Sequence, residues 1–264
     1  MIRVGVVGAL GKMGREIIKA VSEAQDTELV LAVDVFKAGE DVGEIVLSKA
    51  NGVKIQSDLE HAVKTVKPDV IIDFTQPSTI FNNAKLYLNN KVATVIGTTG
   101  LKDEDLNELQ SLSSSNATAC LVAPNFSTGA VLMMMFAKQA AKYFNNAEII
   151  ELHHNQKKDA PSGTAIKTAK LMAEENENFA LGNVPEVELI EGSRGGTADA
   201  NIHIHSVRMP GYIASQEVIF GASGQIFKIR HDSMDRTCYM DGILLAVRHV
   251  AKDSGFIYGL ENIL

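Results

Sequence analysis

Residues 3–14 read RVGVVGALGKMG, a short β-branched run followed by glycines at positions 8, 11 and 14. An apolar run that ends in a glycine-rich turn predicts a buried strand, a tight loop and the start of a helix. Such a turn lets the backbone approach a pyrophosphate, whose negative charge is favoured by the free amide groups at the helix start. Position 10 is leucine where the common dinucleotide fingerprint has its second glycine, so this loop is a variant of that fingerprint.

A carboxylate follows the loop at the distance that ribose binding requires. Asp34 lies twenty positions beyond Gly14, at the end of the β-branched run 28–34, where it can bind a ribose 2′-hydroxyl. Strand, loop, helix, strand and acid in this order favour a dinucleotide site over the alternative, a glycine turn that only packs a helix on a sheet. Asp34 would repel a 2′-phosphate and Lys37 would offset that repulsion, so the choice between NADH and NADPH stays open.

The first half of the chain repeats this alternation of β-branched runs with helical stretches. The later runs are 69–73, 92–96 and 119–122, and the helical stretches between them begin near Ser78 and Asp103. Nearly continuous apolar strands that alternate with helices are typical of a parallel sheet covered on both faces. The sequence therefore predicts an α/β fold, with a Rossmann-like parallel sheet in a dinucleotide-binding domain over residues 1–126.

After Asn125 the pattern changes to runs of strands with few helices. We predict a helix over 129–143, a strand over 147–154, a helix from Ser162, and strands over 187–190, 201–208, 216–220 and 225–229 within the strand-like segment from Glu186 to Arg230. Consecutive strands joined by turns indicate a second α+β domain built on a mixed sheet. We assign residues 127–235 to this substrate-binding and oligomerisation domain, and residues 236–264 to a C-terminal helix that returns to the dinucleotide domain.

Composition and charge exclude several classes of protein. The 264 residues are 45% hydrophobic and 22% charged, which suits a folded enzyme, and the net charge of −7 argues against a nucleic-acid partner. The two cysteines, Cys120 and Cys238, form no CxxC motif, so we expect neither a disulfide framework nor a zinc knuckle. His203 and His205 would share one face of a strand, but no further ligands lie near in sequence, and we expect no metal. With no leader or membrane span in view, we expect a cytoplasmic protein without a membrane partner.

The densest chemistry lies in residues 148–165, which read EIIELHHNQKKDAPSGTA. A strand delivers His153 and His154 to its end, Lys157 follows, and Ser162 opens a helix with a hydroxyl cap and unpaired amide donors. Imidazole, ammonium and a helix start within a dozen residues make an anion pocket with a proton source. Each part alone has an ordinary explanation, as a solvated histidine, a surface lysine or a helix cap, but their concentration in an acidic protein favours function.

These residues resemble the signature of the 4-hydroxy-tetrahydrodipicolinate reductase (dihydrodipicolinate reductase) family. The resemblance rests on E-x-H-x-x-x-K-x-D-x-P-S-G-T-A over 151–165, the loop 8–14 with its methionine, and further matches at 97–100, 123–127, 205–208 and around Arg236. It covers nearly the whole chain and implies an NAD(P)H-dependent oxidoreductase of lysine and diaminopimelate biosynthesis. It also implies a homotetramer and a small dicarboxylate substrate. Members often have an arginine after the acidic residue, where this chain has Val35.

The resemblance also implies roles for individual residues. His153 would be the general acid/base and Lys157 a proton donor and substrate ligand. The substrate dicarboxylate would be bound by His154, Lys157, Gly163 and Thr164, with Ser162 shaping the same turn. The cofactor would contact Gly8, Ala9, Leu10, Gly11, Lys12, Met13 and Asp34, and its nicotinamide end would lie near Gly97, Thr98, Thr99, Ala123, Pro124, Asn125 and Phe126.

Two other functions remain as alternatives at this stage. Another NAD(P)-dependent dehydrogenase of similar build would keep the glycine loop but would not need the string from His153 to Ala165. An NAD(H)-sensing regulator would ordinarily carry a basic DNA-reading element, and the sequence shows none.

Overall fold

The computed structural model describes residues 1–180, 185 and 187–264. Within these residues the chain forms two compact units. The first comprises Met1–Thr128 and Arg236–Leu264, and the second comprises Gly129–Asp235.

Strands and helices are numbered along the chain. The strands are β1 (Ile2–Val7), β2 (Thr27–Val33), β3 (Ile55–Gln56), β4 (Val70–Asp73), β5 (Ala93–Ile96), β6 (Cys120–Val122), β7 (Asn146–His153), β8 (Gly196–Thr197), β9 (His203–Arg208), β10 (Ala214–Ala222), β11 (Gln225–Ser233) and β12 (Phe256–Tyr258). The helices are α1 (Lys12–Glu23), α2 (Val42–Val46), α3 (Leu59–Val66), α4 (Ile80–Asn89), α5 (Asp103–Asn116), α6 (Thr128–Ala141), α7 (Gly163–Ala173) and α8 (Met240–Val250).

The first unit is built on a seven-stranded parallel sheet. Its strand order is β12-β6-β5-β4-β1-β2-β3, so the chain runs outward in one direction from β1 and in the other from β4. Central strand β4 is buried at all four positions, and its apolar residues Val70, Ile71 and Ile72 predict this for the first three. In open sheets of this kind ligands bind at the carboxyl ends of the strands, where the order reverses, here between β1 and β4.

The helices of the first unit begin and end where the sequence provides stop signals. Helix α1 buries Gly14, Ile17, Ile18 and Val21 on one face. Asp58 caps α3 by accepting a hydrogen bond from the backbone N–H of His61, and Lys67 ends the same helix in the left-handed conformation. Three acidic residues in the first turn of α5 suit the positive end of the helix dipole.

The carboxyl-terminal segment corrects one prediction. The helix expected over 236–264 is confined to α8, Met240–Val250, and the chain then adds strand β12 beside β6. Helix α8 ends at Val250, and Gly255, at a φ of +105°, lets the chain turn into the strand. A three-residue strand has too few positions to show periodicity. The sequence therefore shows only the helical pattern of α8, and the predicted helix runs past its true end at Val250.

The second unit is built on a five-stranded mixed sheet of order β11-β10-β7-β9-β8. Strands β7 and β9 run parallel, and the other pairs are antiparallel. Helices α6 and α7 cover one face, where a core forms from residues such as Ala137, Ala165, Met172, Ile149, Ile204, Val218 and Phe220. The α/β class predicted from the sequence is confirmed by this pair of sheets.

The strand predicted over 187–190 is wrong. These residues form bends and irregular chain, and Val187, Leu189 and Ile190 are 79%, 94% and 76% exposed. Their apolar character suits a strand, but no neighbouring strand pairs with them in the described part of the sheet. Glu186, where we began this strand-like segment, lies outside the described residues. The glycine-rich segment at 192–196 forms turns that lead into β8.

No helix among the described residues combines the length and the apolar character needed to cross a membrane.

Candidate active site

The glycine loop places backbone against backbone at the carboxyl end of β1. Gly8 has a φ of +80°, and a Cβ added there would lie 2.5 Å from the carbonyl oxygen of Phe74. A Cβ on Gly14 would lie 2.1 Å from the carbonyl oxygen of Gly8, so only glycine lets α1 pack this closely on the loop. No side chain caps the first turn of α1, which begins after Gly11 with Lys12 and Met13. Its amide groups are therefore donors for an anion.

Asp34 is bound directly to this loop. Its Oδ2 accepts a hydrogen bond of 2.8 Å from the backbone N–H of Leu10, and its Oδ1 accepts one of 3.1 Å from Phe36. Asp34, Leu10 and Phe36 line a cavity of about 520 Å³. The other residues that line it include Gly8, Gly11, Phe74, Thr75 and Asn83. A glycine cradle and a carboxylate around one cavity, next to the uncapped start of α1, fit a dinucleotide.

The loops after β4, β5 and β6 meet around the ring of Phe74. A Cβ added to Gly97 would lie 2.0 Å from Cζ of Phe74, and the rings of Phe74 and Phe126 are 5.7 Å apart. Thr98 is buried and its hydroxyl accepts a hydrogen bond of 2.8 Å from the backbone N–H of Thr75. Of the other predicted residues, Ala9 and Ala123 are buried, Thr99 and Pro124 are exposed, and the side chain of Asn125 accepts a bond from the backbone N–H of Ser127.

A buried carboxylate that the sequence did not single out lies beneath these loops. Asp73 ends β4 with no exposed surface, and it accepts hydrogen bonds from the Tyr87 hydroxyl at 2.6 Å and the Asn83 amide at 3.0 Å. Its other oxygen accepts bonds from the backbone and hydroxyl of Thr75, at 3.0 and 2.6 Å. Burial raises the pKa of Asp73 despite these bonds. The carboxylate thus joins two residues that line the cavity, Thr75 and Asn83, to the core.

In the second unit, strand β7 ends with a carboxylate–imidazole pair. Nδ1 of His153 lies 2.5 Å from Oε2 of Glu151, two residues earlier on the same face of the strand. Glu151 has no exposed surface, and the side chain of His153 is 15% exposed. A carboxylate can only accept, so Nδ1 carries the hydrogen and Nε2 of a neutral His153 ring has the free lone pair.

Arg208, on the neighbouring strand β9, holds Glu151 from the other side. Its two terminal nitrogens donate to the two carboxylate oxygens at 2.9 and 2.7 Å, a bidentate pair. Burial opposes ionisation of Glu151, but hydrogen bonds from His153, Arg208 and Ser206 outweigh it and lower the pKa of Glu151 to about 2. Glu151 is therefore a buried anion at neutral pH.

Lys157 lies in the loop between β7 and α7. Its Nζ donates to both carboxylate oxygens of Asp159, at 2.9 and 2.8 Å, and this contact with Lys157 holds the pKa of Asp159 below its ordinary value. The side chain of Lys157 is 20% exposed and that of Asp159 is 64% exposed, so a ligand can compete with Asp159 from solvent. His154 is exposed, and its Nδ1 accepts a bond of 3.2 Å from the backbone N–H of Gln156.

The start of α7 has the cap that the sequence predicts. Ser162 is the N-cap, and its hydroxyl accepts a hydrogen bond of 3.2 Å from the backbone N–H of Ala165. The backbone N–H of Ser162 itself donates to Oε1 of Glu151 at 3.2 Å. Gly163 is exposed, with no atom of the described structure within 4 Å of an added Cβ. The amides of Gly163 and Thr164 belong to the first turn of α7, where the helix itself provides no acceptor for them.

The structure thus brings together some of the predicted residues within each unit and adds three that we did not assign. In the first unit Gly8, Leu10, Gly11 and Asp34 line one cavity. In the second, His153 and Ser162 meet at Glu151. Asp73, Glu151 and Arg208 carried no predicted role, although Glu151 and Arg208 both stand in the quoted motifs.

Comparison with known proteins gives the same assignment for both units. Residues 2–126 match the family model described as "Dihydrodipicolinate reductase, N-terminus", and residues 129–264 match "Dihydrodipicolinate reductase, C-terminus". The chain is 49% identical to the 4-hydroxy-tetrahydrodipicolinate reductase of Listeria innocua over the full length of both chains. It is also 49% identical to that of Desulfitobacterium hafniense, with all of this chain and 98% of the relative covered.

Solved structures agree. A dipicolinate-bound dihydrodipicolinate reductase from Paenisporosarcina sp. TG-14 superposes with a TM-score of 0.90 at 45% identity, covering both chains completely. An amine dehydrogenase from Mycobacterium smegmatis, with a TM-score of 0.70 at 12% identity over 98% of this chain and 95% of its own, shares the fold. The glycine loop, the signature at the end of β7 and these full-length matches agree: the chain belongs to the dihydrodipicolinate reductase family, whose members are NAD(P)H-dependent oxidoreductases.

Proposed function

We propose that this chain reduces a cyclic imine dicarboxylate, formed from 4-hydroxy-tetrahydrodipicolinate by loss of water, to tetrahydrodipicolinate in lysine and diaminopimelate biosynthesis. The observation that carries the proposal is the buried Glu151, which holds both the imidazole of His153 and the first turn of the α7 anion site. The dipicolinate bound to the Paenisporosarcina enzyme is a cyclic dicarboxylate of the same class.

The first unit would hold NADH or NADPH. The uncapped start of α1, with Gly8 to Met13 before and within it, would bind the pyrophosphate, and Asp34 would accept a bond from the ribose. Gly97–Thr99 and Ala123–Phe126 would lie near the nicotinamide end. When bound, the cofactor supplies the hydride.

The second unit would bind the two carboxylates of the substrate. Two negative charges need fixed donors, and the amides of Gly163 and Thr164 at the start of α7 provide them together with the ammonium of Lys157. Ser162 holds that turn in place by capping it. His154 is exposed at the same end of the strand and would complete the contacts with the dicarboxylate.

Reduction leaves negative charge on the substrate ring, and a proton must neutralise it. His153 can deliver that proton from Nε2 when it is protonated, since Glu151 keeps Nδ1 hydrogen-bonded and leaves Nε2 free. Lys157 carries protons on an ammonium that is already paired with Asp159 and can exchange that partner for substrate. His153 as acid/base and Lys157 as proton donor and ligand are therefore our assignments.

We also propose that the protein assembles as a homotetramer in the cytoplasm. The resemblance to the family, which implies a tetramer, carries this proposal, and the exposed edge strand β11 is available for contact with another copy. Light scattering of the purified protein gives the mass that tests the assembly.

A coupled assay tests the reaction. A synthase generates the substrate in place, and oxidation of NADH or NADPH is followed at the nicotinamide absorbance. Substrate-dependent oxidation supports the reductase. Cofactor binding without it would favour another dehydrogenase or an NAD(H)-sensing regulator.

A further inference from the structure

Glu151 connects three parts of the signature that lie apart in sequence. It accepts from His153 at the end of β7 and from the backbone N–H of Ser162 at the start of α7. Its partner Arg208 also donates at 2.8 Å to the backbone carbonyl of Asp159, in the loop that carries Lys157. One buried ion pair therefore contacts the strand end, the lysine loop and the helix start.

The register of the sheet explains why Arg208 reaches this position. Strands β7 and β9 run parallel, with Arg208 paired beside His153. The guanidinium thus comes from the neighbouring strand, and it neutralises a carboxylate that would otherwise be an unpaired buried charge. Nε of Arg208 is buried with no partner in the described part of the chain. The pairing therefore leaves this one donor without an acceptor, while both terminal nitrogens donate to Glu151.

An ion pair that served stability alone would not need to include an imidazole. The carboxylate of Glu151, however, lies against Nδ1 of His153 and leaves that nitrogen a single role as donor. A neutral side chain of the same shape would remove this restriction, because an amide can present either a donor or an acceptor to the ring.

We propose that Glu151, held by Arg208, is a positioning residue that fixes the Nδ1–H tautomer of His153 and sets the start of α7 in register with it. This inference rests on the acid/base role proposed for His153. Glu151 touches neither ligand in this account and acts through the imidazole and the backbone of Ser162.

Glu151→Gln tests the proposal, with the histidine tautomer read by nitrogen-15 NMR at a pH where imidazoles are neutral. We expect His153 to hold its hydrogen on Nδ1 in the parent and to shift toward Nε2–H in the variant. We expect kcat to fall about 100-fold, the usual scale of acid–base catalysis, with NADH affinity unchanged. The His153 signal is assigned by its loss in His153→Asn.

Glu148→Gln is the matched control on the same strand. Glu148 also pairs with a histidine and an arginine, His205 at 2.8 Å and Arg194 at 2.7 Å, but it lies outside the proposed site. We expect this variant to keep both the tautomer of His153 and the turnover. Glu151→Asp, which keeps the carboxylate, should retain the Nδ1–H tautomer and more turnover than Glu151→Gln, and it decides the question if the glutamine variant does not fold.

An unchanged tautomer with parent-like turnover in Glu151→Gln would overturn the proposal. So would equal losses of turnover in Glu151→Gln and Glu151→Asp with the parent tautomer in both, because the pair would then be only structural. Failure of the proposed function is a separate result, since it shows as a parent protein that oxidises no NADH or NADPH, and the tautomer is measured without substrate.

Discussion

Removing the hydroxyl of Tyr87 isolates one bond of the buried network below the cofactor loops. Tyr87 lies on α4 with no exposed surface, and its hydroxyl donates at 2.6 Å to Asp73, which is equally buried. Tyr87→Phe keeps the ring and its packing, so the change leaves no large cavity. Asp73 keeps the bonds from Asn83 and Thr75.

The expected loss follows from the charge and burial of the acceptor. A hydrogen bond to a charged group contributes about 1.5–3 kcal/mol, and no water can replace the hydroxyl beside a fully buried carboxylate without space being made for it. We therefore expect Tyr87→Phe to lower the free energy of unfolding by about 2 kcal/mol. For a chain of this size the corresponding fall in Tm is roughly 4–8 °C.

Urea unfolding followed by circular dichroism measures the loss, with Tyr143→Phe as the matched control. Tyr143 is 74% exposed, so losing its hydroxyl should change the free energy of unfolding by less than about 0.5 kcal/mol. We expect NADH affinity to change little, because Thr75 keeps its bonds to Asp73. A Tyr87→Phe protein no less stable than the Tyr143→Phe control would refute the inference that this hydroxyl stabilises the buried carboxyl group of Asp73.

Three further changes probe the two sites. Lys157→Ala should lower kcat by at least about 100-fold while NADH titration gives parent-like affinity, and full turnover would contradict the role proposed for Lys157. Asp34→Ala removes a charge that repels a 2′-phosphate, so the ratio of kcat/KM for NADPH to that for NADH should rise about tenfold, and an unchanged ratio would place Asp34 away from the ribose. The folded pKa of Glu151, about 2, lies below its ordinary value of 4.5, so its ionisation stabilises the fold above pH 4.5 and this stability is lost as the pH falls toward 2. It is worth about 3 kcal/mol at pH 7, and the stability gap between the parent and Glu151→Gln should narrow by about 2 kcal/mol at pH 3 in urea titrations, whereas a constant gap would rule out the lowered pKa.

The fold class was predictable because the strands of a parallel sheet are buried on both faces and their sequences show it. The run at 69–73 became β4, with Val70–Asp73 fully buried. Strand β3 has two residues and β12 has three, too few to form a pattern, and both lie at the edges of the sheet. The strand predicted over 187–190 is wrong for a different reason. The apolar pattern is present there, but an apolar run forms a strand only where a partner strand pairs with it.

The chemistry of the sites was predictable where it is local in sequence. The glycine loop and the cap at Ser162 are each formed by residues only a few positions apart in sequence, and the structure shows both. Arg208 meets Glu151 across 57 positions, through the pairing of β7 with β9, which no local pattern predicts. Asp73 was not singled out from the sequence, because no local pattern shows that Tyr87 and Asn83 turn back toward it. The catalytic and binding roles themselves stay predictions until the variants are measured.

The contact between Gly97 and the ring of Phe74 constrains any attempt to redesign the cofactor cavity. Even one methyl group at position 97 would occupy the space of the ring, whose other side lines the cavity. A side chain larger than glycine at 97 therefore requires a smaller side chain at 74 or a shift of the Phe74 ring. A library that randomises position 97 alone would therefore consist mostly of destabilised proteins, whereas one that randomises both positions would sample new cavity shapes.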